Sequence, residues 1–416
     1  MTKVAALRFS ALLAAVLLLL APVAAQATHQ VGPGGLPQIA DAVAVAQPGD
    51  LIVVQPGSYL PFDVSIGVRI VAPMGAVVSP LIGAQFPVSI NVPAGQRASF
   101  VGLAWQSFNA YPPAIWPLSM QVVGHALFQD CSFICGYVDY EGTPTSCNGD
   151  VQFDRCQWSA LDDCLYVAGG HVQLNDCQLT ASWTSYNAGV AHAVVAGGGL
   201  LEIYSSTLRG AHGDNLISCP ASAAIVIGGS ARLRIVDSTA TAGDPFYPSC
   251  SAGVSAIENT TSHPVLHTRS TLVGGSGSVG WPPVPVQAPP IEGLDQQTPL
   301  PGGMAASNGP AIGAPYIATV SGPLGALVGV GLSFDRTTAT AVPFVSNPVH
   351  FDPATVIAYQ WGALSMPLAA WPGFGTSDFQ VPLLPAGALG LELWLHPVVW
   401  GPTGLAAGPT LGGLVR

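Results

Sequence analysis

The stretch that decides the fold runs from Ala126 to Leu272, where one eight-residue pattern occurs six times. The copies are Ala126-Leu-Phe-Gln-Asp-Cys131-Ser-Phe133, Val151-Gln-Phe-Asp-Arg-Cys156-Gln-Trp158, Val172-Gln-Leu-Asn-Asp-Cys177-Gln-Leu179, Leu201-Glu-Ile-Tyr-Ser-Ser206-Thr-Leu208, Leu233-Arg-Ile-Val-Asp-Ser238-Thr-Ala240 and Val265-Leu-His-Thr-Arg-Ser270-Thr-Leu272. The fifth and third residues before the Cys/Ser position are apolar in all copies except at His267, as a strand with one buried face requires. Spacings of 21 to 32 residues predict one copy per coil of a solenoid.

Within each copy the side of the strand that faces inward changes. Alternation from the fifth and third residues before the Cys/Ser would turn the Cys/Ser outward, yet the next apolar positions are the Cys/Ser itself and the residue two after it. Such a change requires a bend at the residue between them. Asp tolerates the left-handed backbone angles of a bend and Arg does so less well. The predicted bends are at Asp130, Arg155, Asp176, Ser205, Asp237 and Arg269.

Glycines upstream of the copies predict a second corner. They are Gly124, Gly149, Gly169-Gly170, Gly197-Gly198-Gly199 and Gly228-Gly229. Short apolar runs precede them at Asp163–Val167, His192–Ala196 and Ala223–Ile227, which gives three strands per coil. The variation in coil length falls between the second and third of these strands, so one corner is expected to carry every long loop.

Three short strands per coil, uneven coil lengths and a Cys/Ser/Thr ladder resemble the right-handed parallel β-helix of the pectate lyase and polygalacturonase superfamily, the pectin lyase-like fold. The resemblance covers roughly residues 36–279, and it implies the fold without implying an activity. The helical spacing of apolar residues from Leu36 to Ala46 predicts a short helix that covers the open end of the solenoid. The Pro-Gly-Asp-strand-Pro-Gly-x-Tyr run that follows this helix looks like the start of many bacterial β-helix proteins.

The chain is therefore predicted to be all-β, with a right-handed parallel β-helix at 28–280. A Pro-rich linker at 281–310 follows, containing Trp281-Pro-Pro-Val-Pro-Val-Gln-Ala-Pro-Pro290. From 311 to 416 the repeat disappears, and strands separated by Gly/Pro turns predict a small antiparallel β-sandwich. This last segment resembles the terminal β modules of some exported bacterial proteins, which implies attachment, secretion or binding.

Residues 1–27 have the features of an export signal. Lys3 and Arg8 precede an apolar core, and Ala25-Gln26-Ala27 provides a small-residue site, so cleavage after Ala27 is expected. A retained membrane anchor is the alternative, but the core is short for a span and no later stretch replaces it. The mature protein is thus predicted to be secreted or held at the cell surface, with no membrane span.

The charge balance narrows the class of partner. Without Lys3 and Arg8 the 11 basic residues become nine, against 22 acidic ones, which is a net charge of −13. Nucleic acid and anionic membrane are poor partners for such a surface.

The eight cysteines of an exported chain favour disulfides over a reduced metal cluster. Two bridges are preferred. Cys135 and Cys147 flank one loop, and Cys219 and Cys250 each follow a Ser in equivalent loops. Cys131, Cys156 and Cys177 are instead predicted to form an interior column, in which one neighbouring pair could also be oxidised. Zinc is the weaker alternative, because no CxxC pair accompanies them.

In the superfamily that this chain resembles, the substrate groove lies over the first strand of each coil. The resemblance implies that aromatic residues lie beside carboxylates in the loops that lead into that strand. Aromatic rings pack on the C–H faces of sugars and carboxylates accept from their hydroxyls, which suits a polysaccharide. The predicted substrate-binding residues are Tyr137, Tyr140, Trp158, Trp183 and Tyr186. The alternative is that the aromatic residues cover the sheet and the carboxylates cap turns.

The motif Asp162-Asp163-Cys164-Leu165-Tyr166-Val167 resembles the Asp-Asp-Cys strand of polygalacturonase-type hydrolases. The resemblance implies that Asp162 and Asp163 share the acid and base roles, since two close carboxyls can hold one proton at neutral pH. His192 is expected in register with Asp163. The remaining candidate catalytic residues are His212, within Ala211-His212-Gly213, and Asp214.

Other family features are missing from the chain. The preceding coil lacks the Asn-Thr-Asp motif, and no Lys remains after residue 3. A lyase would need Ca²⁺, for which Asp162, Asp163, Asp214 and Asp244 are the candidate ligands, and a base such as Arg209. We therefore predict a polysaccharide-binding or structural protein, with a hydrolase or a Ca²⁺-dependent lyase as the alternative.

Overall fold

The computed structural model describes residues 26–79, 88–107, 118–135, 145–160, 163–182, 191–212, 221–244, 253–279, 284–297, 304–306, 310–311, 314–334, 356–367, 374–381, 383–384, 388, 391–401, 404–407 and 410–415. One helix, α1 (Ile39–Val45), lies near the start of this described part.

The strands up to residue 297 are β1 (Thr28–Val31), β2 (Leu51–Val54), β3 (Ser58–Tyr59), β4 (Arg69–Val78), β5 (Val88–Val92), β6 (Arg97–Ser107), β7 (Leu118–Gln129), β8 (Ser132–Cys135), β9 (Thr145–Asp154), β10 (Gln157–Ala160), β11 (Leu165–Asn175), β12 (Gln178–Ala181), β13 (Val194–Ala196), β14 (Leu200–Tyr204), β15 (Thr207–Arg209), β16 (Ile225–Ile227), β17 (Arg232–Val236), β18 (Thr239–Thr241), β19 (Ile257–Asn259), β20 (Val265–Thr268), β21 (Thr271–Val273), β22 (Ser276–Val279), β23 (Val284–Gln287), β24 (Ile291–Glu292) and β25 (Asp295–Gln297). The later strands are β26 (Met304–Ala306), β27 (Tyr316–Pro323), β28 (Leu327–Ser333), β29 (Val356–Ala363), β30 (Met366–Pro367), β31 (Phe374–Val381), β32 (Glu392–Gly401), β33 (Gly404–Ala407) and β34 (Leu411–Leu414).

Three parallel ladders of strands run along a β-solenoid, as the repeat predicts. The first ladder contains β5, the first halves of β7, β9 and β11, and then β13, β16, β19 and β24. The second contains β1, β2, the starts of β4 and β6, the second halves of β7, β9 and β11, and then β14, β17, β20 and β25. The third contains β3, the ends of β4 and β6, and then β8, β10, β12, β15, β18 and β21.

The predicted bend between the second and third ladders is confirmed residue by residue. All six predicted positions have a φ between +46° and +53°, and they are the described non-glycine residues with positive φ. Arg is unfavourable there, and both arginines are held by an Asp of the preceding coil. Arg155 Nε donates to Asp130 Oδ1 at 2.8 Å, and Arg269 Nε donates to Asp237 Oδ1 at 2.5 Å. The ion pairs offset the poor local propensity of Arg.

The solenoid interior is a set of side-chain columns. Phe128 stacks between Phe100 and Phe153, with ring centroids 4.7 and 5.0 Å apart. The predicted cysteine column is also interior, because Cys131, Cys156 and Cys177 are buried free thiols. Each Sγ bonds a backbone carbonyl of the preceding coil, at 3.3 to 3.4 Å. These columns continue the core from one coil to the next.

The predicted helix covers the first coil. Ile39 and Ala42 of α1 are fully buried in the solenoid core, and Asp41 accepts from the backbone N–H of Gln38 at 3.2 Å. Within the described residues no helix has the length and hydropathy needed to cross a membrane.

At the other end the stack continues past residue 280, the predicted boundary of the β-helix. A hairpin of β22 and β23 pairs Val279 with Val284. The chain then returns to the solenoid, where β24 joins β19 and β25 joins β20. Part of the segment predicted as a linker is therefore a further, incomplete coil.

Two antiparallel sheets form the predicted C-terminal β-sandwich. One has the order β26-β27-β31-β30, and the other has the order β29-β28-β32-β33 with β34 paired to β32. Their inner faces share a core that includes Tyr316, Val328, Phe379 and Leu393.

The sandwich packs against the outer face of the second ladder. The carbonyl oxygen of Thr410 accepts from the side-chain amides of Gln152 at 3.3 Å and Gln173 at 3.1 Å, and the N–H of Leu414 donates to Gln129 Oε1 at 3.0 Å. These three glutamines are at most 1% exposed. The second ladder therefore has an inner face covered by the solenoid core and an outer face covered largely by the sandwich.

Candidate functional site

The corner that leads into the first ladder holds two described residues that are predicted to carry chemistry. Asp163 and His192 lie on neighbouring coils, as predicted. His192 Nδ1 is 2.8 Å from Asp163 Oδ1, and the His192 backbone N–H donates to the same oxygen at 2.7 Å. Both side chains are partly exposed, at 12% for His192 and 20% for Asp163. Asp163 thus caps the start of the next coil and also orients an imidazole.

A second polar group lies where the third ladder ends. The N–H of Asp244 donates to His212 Nδ1 at 3.1 Å, and the Arg209 guanidinium contacts Nε2 of the same ring. Asp244 Oδ1 accepts from the backbone N–H and the hydroxyl of Ser276, at 2.8 and 2.9 Å. This group is near the first one, because the Ala211 N–H donates to the carbonyl of Ala191 at 3.1 Å. Asp244 accepts from a backbone N–H of the next coil in the same manner as Asp163.

Two carboxylates that the sequence did not single out lie on the outer face of the first ladder. Glu258 and Glu292 occupy paired positions on β19 and β24, next to each other in register. Burial raises the pKa of Glu258, the negative charge of Glu292 raises it further, and His192 acts in the opposite direction. Sequence counting could have found Glu258, because it lies in the register column of Tyr166. Glu292 could not be found in this way, because it lies beyond residue 280, the predicted end of the stack.

The early coils of the same face present a row of amide side chains. Asn91, Gln121 and Asn148 occupy one register column on three successive coils, and all three are exposed. Asn148 Nδ2 donates to Gln121 Oε1 at 3.2 Å. Tyr166 follows on the next coil, half-buried, in register with Ser146. On that coil Gly169 is the residue in register with Asn148, so we call Asn91, Gln121 and Asn148 the amide row.

The prediction that Trp158 binds substrate is wrong. The side chain is 3% exposed and stacks on Phe133 inside the solenoid, with ring centroids 4.6 Å apart. Its Nε1 donates to the Thr145 hydroxyl at 3.3 Å. Trp158 is the residue two after the Cys/Ser position, so its strand turns it toward the core.

The predicted bridge between Cys135 and Cys147 is not formed, because Cys147 is a fully buried free thiol. It lies between Met120 and Val167 in the first ladder, where alternation turns it inward. Burial strongly raises the pKa of the Cys147 thiol. The second predicted bridge concerns Cys219 and Cys250, which lie outside the described residues.

Several other predicted site residues also lie outside the described ranges. They are Asp162, Asp214, Tyr137, Tyr140, Trp183 and Tyr186. Of the four candidate calcium ligands, Asp163 and Asp244 are described. Across the described ranges no three His, Cys, Asp or Glu side chains come together in a way that could hold a metal ion.

A further charged cluster, which sequence analysis missed, lies on the outer face of the second ladder. His171 Nε2 is 2.9 Å from Glu202 Oε2, and Arg234 Nη1 donates to Glu202 Oε1 at 2.5 Å. Asp150 lies between His125 and His171, at 3.4 and 3.7 Å. His125 packs edge-on against Trp394 of the sandwich, with centroids 6.0 Å apart. Since successive coils supply all of these charges, register counting on the second ladder was the signal that could have found them.

Comparisons with known protein families and curated sequences assign no family to the chain. No protein-family model matches the chain, and a search of curated protein sequences finds no significant similarity.

Proposed function

We propose that this protein is exported or held at the cell surface and binds a polysaccharide along the outer face of its first ladder. The single observation that carries the proposal is the amide row. Amide groups both donate and accept hydrogen bonds, as sugar hydroxyls do. On the next coil Tyr166, in register with Ser146 two residues before Asn148, adds an aromatic ring beside the row. A rigid parallel ladder repeats such groups about every 4.8 Å, which suits an extended polymer.

The exposure of the two outer faces favours the first ladder over the second as the binding surface. Gln129, Gln152 and Gln173 on the second ladder also carry amides, but they are buried and bonded to the sandwich. Asn91, Gln121 and Asn148 are exposed. The proposed ligand is neutral, because the exposed row is uncharged and the chain as a whole is strongly acidic.

Binding is tested by affinity electrophoresis or pull-down of the purified, exported protein on a panel of neutral and acidic polysaccharides. Substitution of Gln121 and Asn148 by Ala, which removes two of the three amides of the row, is expected to weaken binding about thirtyfold, since each lost hydrogen bond is worth roughly 1 kcal/mol. The matched control is Gln157→Ala/Gln178→Ala, which removes exposed amides from the third ladder. Equal binding by both double variants would refute the amide row as the site.

The bond between Asp163 and His192 favours hydrolysis as the second candidate function. A carboxylate that orients an imidazole is a common arrangement for a general base. The raised pKa of Glu258 supplies a carboxyl that holds a proton more tightly than usual, which is a property of a general acid. In contrast, Asp163 and Asp244 both accept from a backbone N–H of the next coil, which agrees with a binding or structural role.

Hydrolysis or elimination is tested by release of reducing ends and of 235 nm absorbance over the same panel, with and without Ca²⁺. Activity that Asp163→Asn and His192→Gln abolish, and that Asp295→Asn retains, would establish an enzyme. The 235 nm signal would identify a lyase. Binding without release of either signal supports the binding proposal.

A further inference from the structure

A cavity of about 450 Å³ lies between the sandwich and the early coils of the solenoid. Its solenoid side is the corner between the first and second ladders, and its other side is formed by Phe334, Leu391 and Glu392. It lies on a different part of the molecule from the amide row, because its solenoid residues come from coils at 48–69 and 95–97 and face the sandwich.

Glycines leave the floor of this cavity open. Gly49, Gly67 and Gly95 follow one another on successive coils, and Gly49 and Gly95 have φ of +92° and +73°. A Cβ at Gly67 would lie 2.5 Å from the carbonyl oxygen of Arg97, so no side chain fits at that position. The backbone itself therefore forms the floor.

Two guanidinium groups form the polar side of the cavity. Arg69 is only 9% exposed, and it donates to the carbonyl of Gly49 at 2.9 Å. Burial lowers the pKa of Arg69, whereas the charges of Glu392 and Asp50 act in the opposite direction. Arg97 adds the second guanidinium, 3.5 Å from Glu392. Both remain cations at any physiological pH.

The carboxylates near these cations are directed at protein donors. Glu392 accepts from the Ser99 hydroxyl at 3.1 Å and from Trp394 Nε1 at 3.2 Å. Asp50 accepts from the backbone N–H groups of Ala27 and Gln47, at 3.0 and 2.8 Å. Glu392 itself lines the cavity beside Arg97, so two guanidinium groups and one carboxylate face its interior.

One side chain occupies the part of the cavity beside Arg69. The amide oxygen of Gln26 is seated on the Arg69 guanidinium, above Gly49. Gln26 precedes the predicted cleavage point after Ala27. If the proposed export processing takes place, Gln26 is removed and an acceptor position beside Arg69 is left to a ligand.

On the opposite side of the cavity two accessible apolar side chains lie beside Glu392. Phe334 and Leu391 are 49% and 41% exposed, which is high for large hydrophobic side chains. Exposed apolar groups that share a cavity with two guanidinium groups are suited to a molecule with one charged end and one apolar end.

We propose that this cavity binds a small organic carboxylate that carries an apolar body. The guanidinium groups of Arg69 and Arg97 receive the carboxylate, and Phe334 and Leu391 receive the apolar body. The site is separate from the proposed polysaccharide site and does not require it.

The test is calorimetric titration of the purified, exported protein, whose N-terminal residue is identified by intact mass. Benzoate is the probe, acetate lacks the apolar body, and benzamide lacks the charge. Benzoate is expected to bind at least tenfold more tightly than either of the others. Arg97→Ala is expected to weaken benzoate binding about tenfold or more, as loss of one charge-assisted hydrogen bond requires.

Matched variants separate binding from folding. Phe334→Ala touches no ion pair and is expected to weaken benzoate binding while leaving acetate unchanged. Arg232→Ala and Tyr359→Ala remove an exposed cation and an exposed ring elsewhere, and they are expected to bind benzoate normally. Failure of benzoate to bind, or binding that neither Arg97→Ala nor Phe334→Ala changes, overturns the proposal. Retention of polysaccharide binding in that case would leave the proposed function standing.

Discussion

Single residues at the bend between the second and third ladders decide whether a coil can close. At this position φ is positive in every copy, and the two arginines there depend on an Asp of the preceding coil. Arg269 is the more demanding case, because its side chain is fully buried and also donates to the Ser321 hydroxyl of the sandwich at 3.1 Å. A buried guanidinium needs its counterion to offset the cost of desolvation.

Asp237→Asn removes that counterion while keeping a residue that tolerates positive φ. We expect the free energy of unfolding to fall by about 3 kcal/mol, the lower range for breaking a buried ion pair. The measurement is urea unfolding followed by circular dichroism. Asp295→Asn is the control, since that carboxylate is 58% exposed beside His267. Equal losses in the two variants would contradict the buried-pair argument.

The pKa of Glu258 gives a prediction with a defined sign. Because its pKa is raised in the folded protein, the contribution of Glu258 to the free energy of unfolding is most favourable at acidic pH and is lost as the pH rises through the folded pKa. Glu258→Gln is therefore expected to raise the unfolding midpoint at pH 7 and to change it little below pH 4. A larger effect in acid than at neutral pH would reverse the assigned direction. The measurement is thermal unfolding at both pH values. Glu292→Gln, at a more exposed carboxylate, is the comparison variant.

At the scale of the element, the coils require glycine at the corner between the first and second ladders. Gly149, Gly170, Gly199 and Gly229 have positive φ, and neighbouring backbone occupies the space of any Cβ. At Gly149 that Cβ would lie 1.8 Å from the carbonyl oxygen of Val122. The glycines therefore permit close stacking of coils in addition to the turn itself.

Gly149→Ala is expected to destabilise the protein far more than Gly34→Ala. Both residues have positive φ, which costs Ala about 1 to 2 kcal/mol. Only Gly149 adds a steric clash, because a Cβ at Gly34 has no atom within 4 Å. The difference between the two urea midpoints reports the clash together with the less favourable φ at Gly149, which is +129° against +82° at Gly34. Similar midpoints would show that backbone angle alone fixes these positions.

Sequence patterns predicted the elements well because the determinants are local. Alternation of apolar residues placed the strands, and the change of parity at Asp130 and its equivalents placed the bend. The same alternation, followed strictly, places the Trp158 side chain in the core. The prediction that Trp158 binds substrate rested on its being aromatic, although its register position indicates burial. Prolines after Trp281 indicated a linker, yet a hairpin and two short strands tolerate them.

The covered face of the second ladder could not be predicted in this way. Gln152 and Gln173 are polar residues on an outward-facing strand, and such residues are ordinarily exposed. Their burial depends on Thr410, which lies more than two hundred positions later in the sequence. The candidate site was predictable only in part, since Asp163 and His192 follow from the repeat whereas Glu292 follows from a coil beyond it.

For the whole molecule, the sandwich determines how the coils unfold. Solenoid coils contact only their neighbours, and such arrays can lose terminal coils independently. Here the sandwich contacts coils from Ser99 to Arg269. We expect one unfolding transition, with tryptophan fluorescence and far-UV circular dichroism superimposed. Separate transitions in the unaltered protein would contradict this coupling.

Gln152→Ala/Gln173→Ala tests the same coupling directly. The variant removes two of the three amides that donate to the Thr410 carbonyl, so the fluorescence and dichroism curves are expected to separate. Gln157→Ala/Gln178→Ala removes exposed glutamines from the same coils and is expected to leave them superimposed. Curves that stay together in both variants would place the coupling elsewhere in the interface.

The position of the sandwich also has a mechanical consequence. Hydrogen bonds between coils point along the solenoid axis, so tension between the two ends would open them one coil at a time. Because the sandwich is fastened at Ser99, Gln152 and Asp237, a pull along the axis would also have to shear its side-chain bonds across several coils together. The sandwich acts as a splint on a stacked rod, and a rod of this kind resists stretching where an unsupported stack would peel apart.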